Sequence, residues 1–254
     1  MILYHYTSLE NFLSIWSSKT LRFSLSEKTN DIFERIKTFV LTQKTFIFDG
    51  KQLERNRFER FDRKISAELS KYRQVSFAYD YEEGLSGYAS PMMWGQYAWT
   101  KDKNNNWQSG VCLAIDSEKI KLPTSKVFSH KILYKSTIES PFVENIDYTQ
   151  ENAAAFFVER NVETYFFTKH IHWKYENEYR FVSKEEGEID ISDAITGIYI
   201  LWSDESPLDI IKTVVNQPNL INLLSLSNFK HSENNPYTLK EIDDLQELMK
   251  TYKF

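Results

Sequence analysis

The run Trp173-Lys174-Tyr175-Glu176-Asn177-Glu178-Tyr179-Arg180-Phe181 constrains the fold most. It sorts cleanly into two faces if it is a β-strand, where successive side chains point to opposite sides. Lys174, Glu176, Glu178 and Arg180 share one face, and Trp173, Tyr175, Asn177, Tyr179 and Phe181 share the other. The aromatic face suits a core. The charged face sets two carboxylates one strand repeat apart, about 7 Å, with cations beside them. That pair suits chemistry in which positive charge develops on a substrate. It equally suits a half-buried strand with a solvated, salt-bridged face. Either way a strand is expected over 173–182.

The 254 residues contain no Pro/Gly/Ser-rich linker and read as one domain over 1–254, with a helical insertion at about 31–73 and a C-terminal helical segment at about 237–254. Eighteen Phe, 15 Tyr and 6 Trp against 7 Gly promise a core of large rigid rings. The net charge of −5 argues against an overall phosphate-tracking surface. Cys112 is the only cysteine, which excludes a disulfide framework and a cysteine zinc site. No apolar stretch is long enough to span a bilayer, and the N-terminus lacks a basic start followed by an apolar segment. A soluble cytoplasmic protein with no membrane partner is expected.

Residues 2–6 read as a first strand, and Thr7-Ser8-Leu9-Glu10 as a capping box opening a helix with Leu9, Phe12, Leu13 and Trp16 inward. A short strand at 21–24 precedes Asn30, which is placed to cap a helix through Ile32 to Val40. A charged amphipathic helix is expected at about 53–72, and strands at 75–79, 111–115, 127–134, 195–202 and 220–226. Ser90-Pro91 reads as the cap and first position of a short helix carrying Trp94 and Tyr97, residues 152–169 as helical, and 239–252 as a terminal helix. Strands and helices mix without strict βαβ alternation, so the class is α+β with a mixed or antiparallel sheet.

Four other readings find weak support. His170 and His172 share a face if extended, yet no second ligand pair has a recognisable spacing for a metal. No nucleophile elbow is present, and Gly84-Leu85-Ser86-Gly87 matches no phosphate loop. Arg55, Arg57, Arg60, Arg63, Lys64 and Arg73 interleave with Phe58 and Phe61 as in a nucleic-acid-facing helix, but Glu54, Glu59, Asp62 and Glu68 offset that charge.

A first-strand histidine, His5, combined with a late Glu176-Asn177-Glu178 resembles the ADP-ribosyltransferase superfamily. There a split antiparallel β core binds NAD, a first-strand His or Arg holds it, and a late-strand Glu does the chemistry. Phe23-Ser24 stands where that superfamily's second strand carries a tyrosine, so Tyr6, Tyr79 and Tyr97 are the substitutes for stacking. A longer resemblance is to an uncharacterised bacterial family, domain of unknown function 2971. It rests on Tyr4-His5-Tyr6-Thr7, Asn30-Asp31-Ile32-Phe33-Glu34, Met93-Trp94-Gly95-Gln96-Tyr97-Ala98 and Glu176-Asn177-Glu178-Tyr179-Arg180. Gln96 replaces a histidine frequent in that family.

The resemblance implies an ADP-ribosyltransferase-like fold and an enzyme that cleaves NAD and transfers ADP-ribose to a protein or nucleic-acid acceptor, in the manner of toxins and phage-defence effectors. An antitoxin or defence-system partner would follow. Glu178 would stabilise the cationic ribose and Glu176 would orient the attacking group; His5, Tyr6, Thr7, Arg22, Ser24, Asn30, Trp94, Tyr97 and Arg180 would bind the dinucleotide. No metal is required. The alternatives are a non-catalytic nucleotide or nucleic-acid binding module, and a metal-dependent nuclease in which His170, His172, Glu176 and Glu178 converge.

Overall fold

The computed structural model describes residues 1–25, 52–82, 84–101, 107–138, 141, 150–202, 208–225 and 240–242. β1 (Ile2–Thr7) is followed by Ser8, whose Oγ accepts the Asn11 N–H at 3.3 Å and caps α1 (Leu9–Ser18), one residue later than the Thr7-to-Glu10 capping box places it. β2 (Thr20–Arg22), β3 (Ser24–Leu25), α2 (Gln52–Leu69) and β4 (Arg73–Tyr79) follow. A turn of helix at Pro91–Met93, capped by Ser90, runs into a π-helical turn at Trp94–Ala98. Next come β5 (Trp99–Lys101), β6 (Trp107–Ser109), β7 (Val111–Asp116), β8 (Val127–Lys131) and β9 (Leu133–Lys135). Then come α3 (Ala153–Arg160), α4 (Val162–Phe166), β10 (Thr168–His170), β11 (Glu178–Ser183), β12 (Glu188–Asp190) and β13 (Ile195–Trp202). α5 (Leu208–Val214), β14 (Ile221–Ser225) and β15 (Lys240–Ile242) complete the described elements.

The main sheet runs β15-β14-β13-β7-β1-β4-β11-β8, with β3 also beside β4. β13 and β14 are parallel and its other pairings antiparallel, so the fold is α+β with a mixed sheet flanked by helices. β1 pairs with β7 along its whole length but with β4 at only two positions, Leu3 opposite Tyr79 and Tyr4 opposite Ala78. Beyond Tyr4 the strands part. β4 regains a neighbour on that side only at Arg73 and Gln74, which face β3. The sheet is therefore split between the second half of β1 and the middle of β4.

One face of the sheet packs Leu3, Phe77, Leu113, Ile115 and Phe181 under Leu9 and Phe12 of α1. The other face carries two separate apolar clusters. Tyr4, Tyr6, Ala78, Cys112, Met93 and Trp94 form one; Phe61, Ile65, Tyr72, Phe157, Phe166 and Val182 form the other. Gly110 is required where the first of these meets β1: a Cβ there would lie 2.1 Å from the Thr7 carbonyl oxygen and 2.6 Å from that of Ala98. Its N–H donates to Ala98 at 2.7 Å, which pins the end of the π-helical turn beside β1.

Several expected elements differ. The strand over 173–182 begins only at Glu178; Ile171–Glu176 is a 3₁₀ helix, and Asn177 turns the chain in the left-handed region at φ 42°. Asn tolerates that φ because its short polar side chain bonds locally. Here Nδ2 donates to the carbonyls of Tyr79 at 2.9 Å and Asp80 at 3.1 Å. The span 152–169 is two short helices followed by β10, and 127–134 is two strands in different sheets. Lys240–Ile242 is a strand rather than the start of a terminal helix, because it finds a ladder partner in β14. The helix expected after Asn30, and the remainder of the C-terminal helical segment, lie outside the described residues.

Candidate active site

The split in the sheet opens a cavity of about 890 Å³. His5, Tyr6 and Thr7 line it from β1, Gln74 to Ala78 from β4, Tyr97 from the π-helical turn, and Lys169, Glu176, Glu178 and Arg180 from the late segment. Arg22 and Ser24 line it as well. By register His5 belongs to the face of Phe77, and Glu178, opposite Ala78, to the other face. They meet in one cavity because it passes through the gap between the parted strands. His5 Nδ1 lies 3.1 Å from the carbonyl oxygen of Ser76, one of the β4 groups that has no ladder partner on this side. Accepting that proton fixes the tautomer with Nε2 as the free acceptor. Burial lowers the pKa of His5, against the opposing pull of the Ser76 carbonyl, so the ring is neutral.

Between the two apolar clusters lies a buried charge cluster. Lys169, Glu176, Glu178 and Arg180 are 5, 2, 3 and 0 % exposed. Arg180 grips Glu178 with both arms, Nε to Oε1 at 2.6 Å and Nη2 to Oε2 at 2.8 Å, while Nη1 donates to the Phe166 carbonyl at 2.7 Å. Lys169 Nζ bridges the glutamates, 2.5 Å from Glu176 Oε2 and 2.8 Å from Glu178 Oε2. Tyr97 Oη donates to Glu176 Oε1 at 2.5 Å. Tyr134 Oη accepts the Glu178 N–H at 2.9 Å. Two cations meet two carboxylates, so the group is neutral when all are ionised.

The glutamates titrate apart. Burial alone would raise Glu178, but Arg180 and then Lys169 outweigh it and hold the carboxyl well below the usual range. For Glu176 burial prevails over Lys169, and the negative charge of Glu178 adds to it, so its pKa is raised. Burial, then the charge of Glu176, keeps Tyr97 protonated. The site thus pairs a fixed anion with a carboxyl poised nearer neutrality, the division of labour an acid–base pair needs.

Of the residues singled out in the sequence, His5, Tyr6, Thr7, Arg22, Ser24, Tyr97, Glu176, Glu178 and Arg180 line the cavity. Trp94 does not fit its expected role. It is 2 % exposed, its Nε1 donates to Tyr88 at 2.8 Å, and it packs edge-on against Tyr6, so it is core. Asn30 lies outside the described residues. Arg180 is spent on Glu178 and Phe166 rather than presented to a pyrophosphate. Gln96 accepts from Tyr175 Oη at 2.8 Å and donates to Tyr97 Oη at 3.3 Å, which orients the tyrosine on Glu176. Lys169 and Gln74 were not apparent from sequence; strand period at Thr168-Lys169-His170 is the signal that would have exposed the lysine. Among the described residues no group of three His, Cys, Asp or Glu is arranged to hold a metal ion. Glu176 and Glu178 face cations instead, which removes support from the nuclease alternative. No helix among the described residues is long and apolar enough to cross a membrane.

Residues 93–181 match the family described as Protein of unknown function (DUF2971). That stretch holds Tyr97, Lys169, Glu176, Glu178 and Arg180, the charged wall of the cavity. It includes two of the four phrases on which the sequence resemblance rests; those at Tyr4 and Asn30 fall before it. No curated protein and no solved structure matches the chain.

Proposed function

We propose that the chain is an ADP-ribosyltransferase-like enzyme that cleaves NAD and passes ADP-ribose to a macromolecular acceptor. The observation that carries this reading is the parting of β1 from β4, which opens a cavity of about 890 Å³ walled by a first-strand histidine and a late pair of glutamates. Loss of nicotinamide leaves positive charge on the ribose, and a preorganised anion in a dry site stabilises it. Glu178 supplies that anion. Its charge is already shared with Arg180 and Lys169, so proton traffic falls to Glu176, whose raised pKa suits it to take the proton of the attacking group. His5 Nε2 is free to accept from a ribose hydroxyl, and Tyr97 offers a ring to the nicotinamide end. A toxin or defence role belongs with this proposal.

A second reading, nucleotide binding without turnover, is favoured by the saturation of Glu178: a carboxylate held by three donors can be purely structural. Release of nicotinamide from NAD by the purified protein, with and without cell extract as acceptor, separates the two. Turnover supports the first reading; saturable binding of NAD without release supports the second.

A further inference from the structure

Gln74 lines the cavity and has no part in the proposed reaction. It is 6 % exposed, and its Oε1 has no hydrogen-bond partner. A buried acceptor left unpaired is costly, and native proteins rarely tolerate one without a ligand or water to meet it. On β4 it stands opposite Val182 on one side and Ser24 on the other, so its carboxamide shares the face of Ser76 and Arg180.

Position narrows what it meets. Ala78 lies opposite Glu178, and Gln74 is four residues back along the same strand, about 13 Å away at the rise of a strand. That is the wrong end of the cavity for the scissile bond and the right end for the far base of an extended dinucleotide. Ser24, its neighbour across on β3, and Ser76, two residues along on the same face, also line the cavity. A carboxamide presents one acceptor and one donor side by side, the complement of the adenine edge that carries the N6 amine and N7.

We propose that Gln74 determines specificity for adenine, accepting from the 6-amino group and donating to N7 of the base. The assignment of ends rests on the NAD reading, but recognition of adenine does not require turnover.

Binding of ADP and of IDP to the full chain, followed by calorimetry, tests it. Hypoxanthine presents acceptors at both O6 and N7, so one hydrogen bond is lost and two acceptors oppose. ADP should bind about 10- to 100-fold more tightly than IDP. Gln74→Ala should weaken ADP, leave IDP nearly unchanged and erase the preference. Equal binding of ADP and IDP by the wild type, or no binding of ADP, overturns the proposal without any variant having to fold. An ADP preference that survives in folded Gln74→Ala overturns it too. NAD turnover with no base preference removes this inference and leaves the transferase reading standing; a Gln74-dependent preference with no turnover does the reverse.

Discussion

Two lysines in this protein make ion pairs of nearly equal length with opposite consequences. Lys121 Nζ lies 2.7 Å from Asp193 and 3.7 Å from Asp190 on the open surface, while Lys169 Nζ lies 2.5 Å from Glu176 and 2.8 Å from Glu178 at 5 % exposure. Water and salt screen the first set, and ordering long side chains offsets much of what remains. The second set has exchanged hydration for partners, so each member depends on the others. Distance alone therefore says little about the worth of a pair; desolvation decides, and it also drives the titration of the two glutamates apart.

The comparison predicts a graded series of effects. Arg180→Met should be the most damaging, destabilising by about 3–5 kcal/mol because it strands the buried Glu178 charge; chemical denaturation would measure it. Replacing Arg180 and Glu178 together by leucine should cost less than Arg180→Met alone, and a larger loss for the pair would break the desolvation argument. Glu178→Gln should destabilise for the same reason, which makes it a poor probe of chemistry.

Tyr97→Phe keeps the ring but removes the hydroxyl on Glu176, at a cost of about 1 kcal/mol. Lys121→Ala should leave the denaturation midpoint unchanged within error.

The pH dependence sharpens the contrast. The folded pKa of His5 is lowered, so the unfolded chain binds more protons below about pH 6.5; the stability this residue contributes is present above that pH and is lost as pH falls through the window. Glu178, also lowered, begins to lose its contribution only below about pH 4.5. His5→Gln should flatten the melting temperature between pH 7 and pH 5.5 and leave the more acidic loss in place.

How much of this could be read from sequence depended on whether the information was local. β1, β4, β7 and β13 announce themselves as apolar or alternating runs, the Ser90 cap falls where expected, and the cap of α1 falls at Ser8, one residue past the Thr7 of the expected box. The grouping of Glu176, Glu178 and Arg180 was legible, though for an incomplete reason. The aromatics before Glu178 imitate a strand, while Asn177 at positive φ breaks it and swings Glu176 back beside Glu178. The charged face read as one that water could cover is buried, because Lys169 arrives from β10 to neutralise it, and a pairing so dependent on tertiary approach has no signature in the run itself. The cleft was least legible. It exists because β1 and β4 pair at two positions and then part, a property of register that neither strand's sequence carries alone.

The central claim is tested most directly by nicotinamide release from NAD, measured side by side for the wild type and Glu176→Gln at matched fold by circular dichroism. The amide keeps the hydrogen bond from Tyr97 and the shape of the side chain, gives up the pair with Lys169, and cannot take a proton, which is why the comparison is made at matched fold. The account predicts release by the wild type and a rate lower by about 10²-fold or more in the variant. A folded wild type that binds NAD yet releases no nicotinamide, or equal rates in the two proteins, would contradict it.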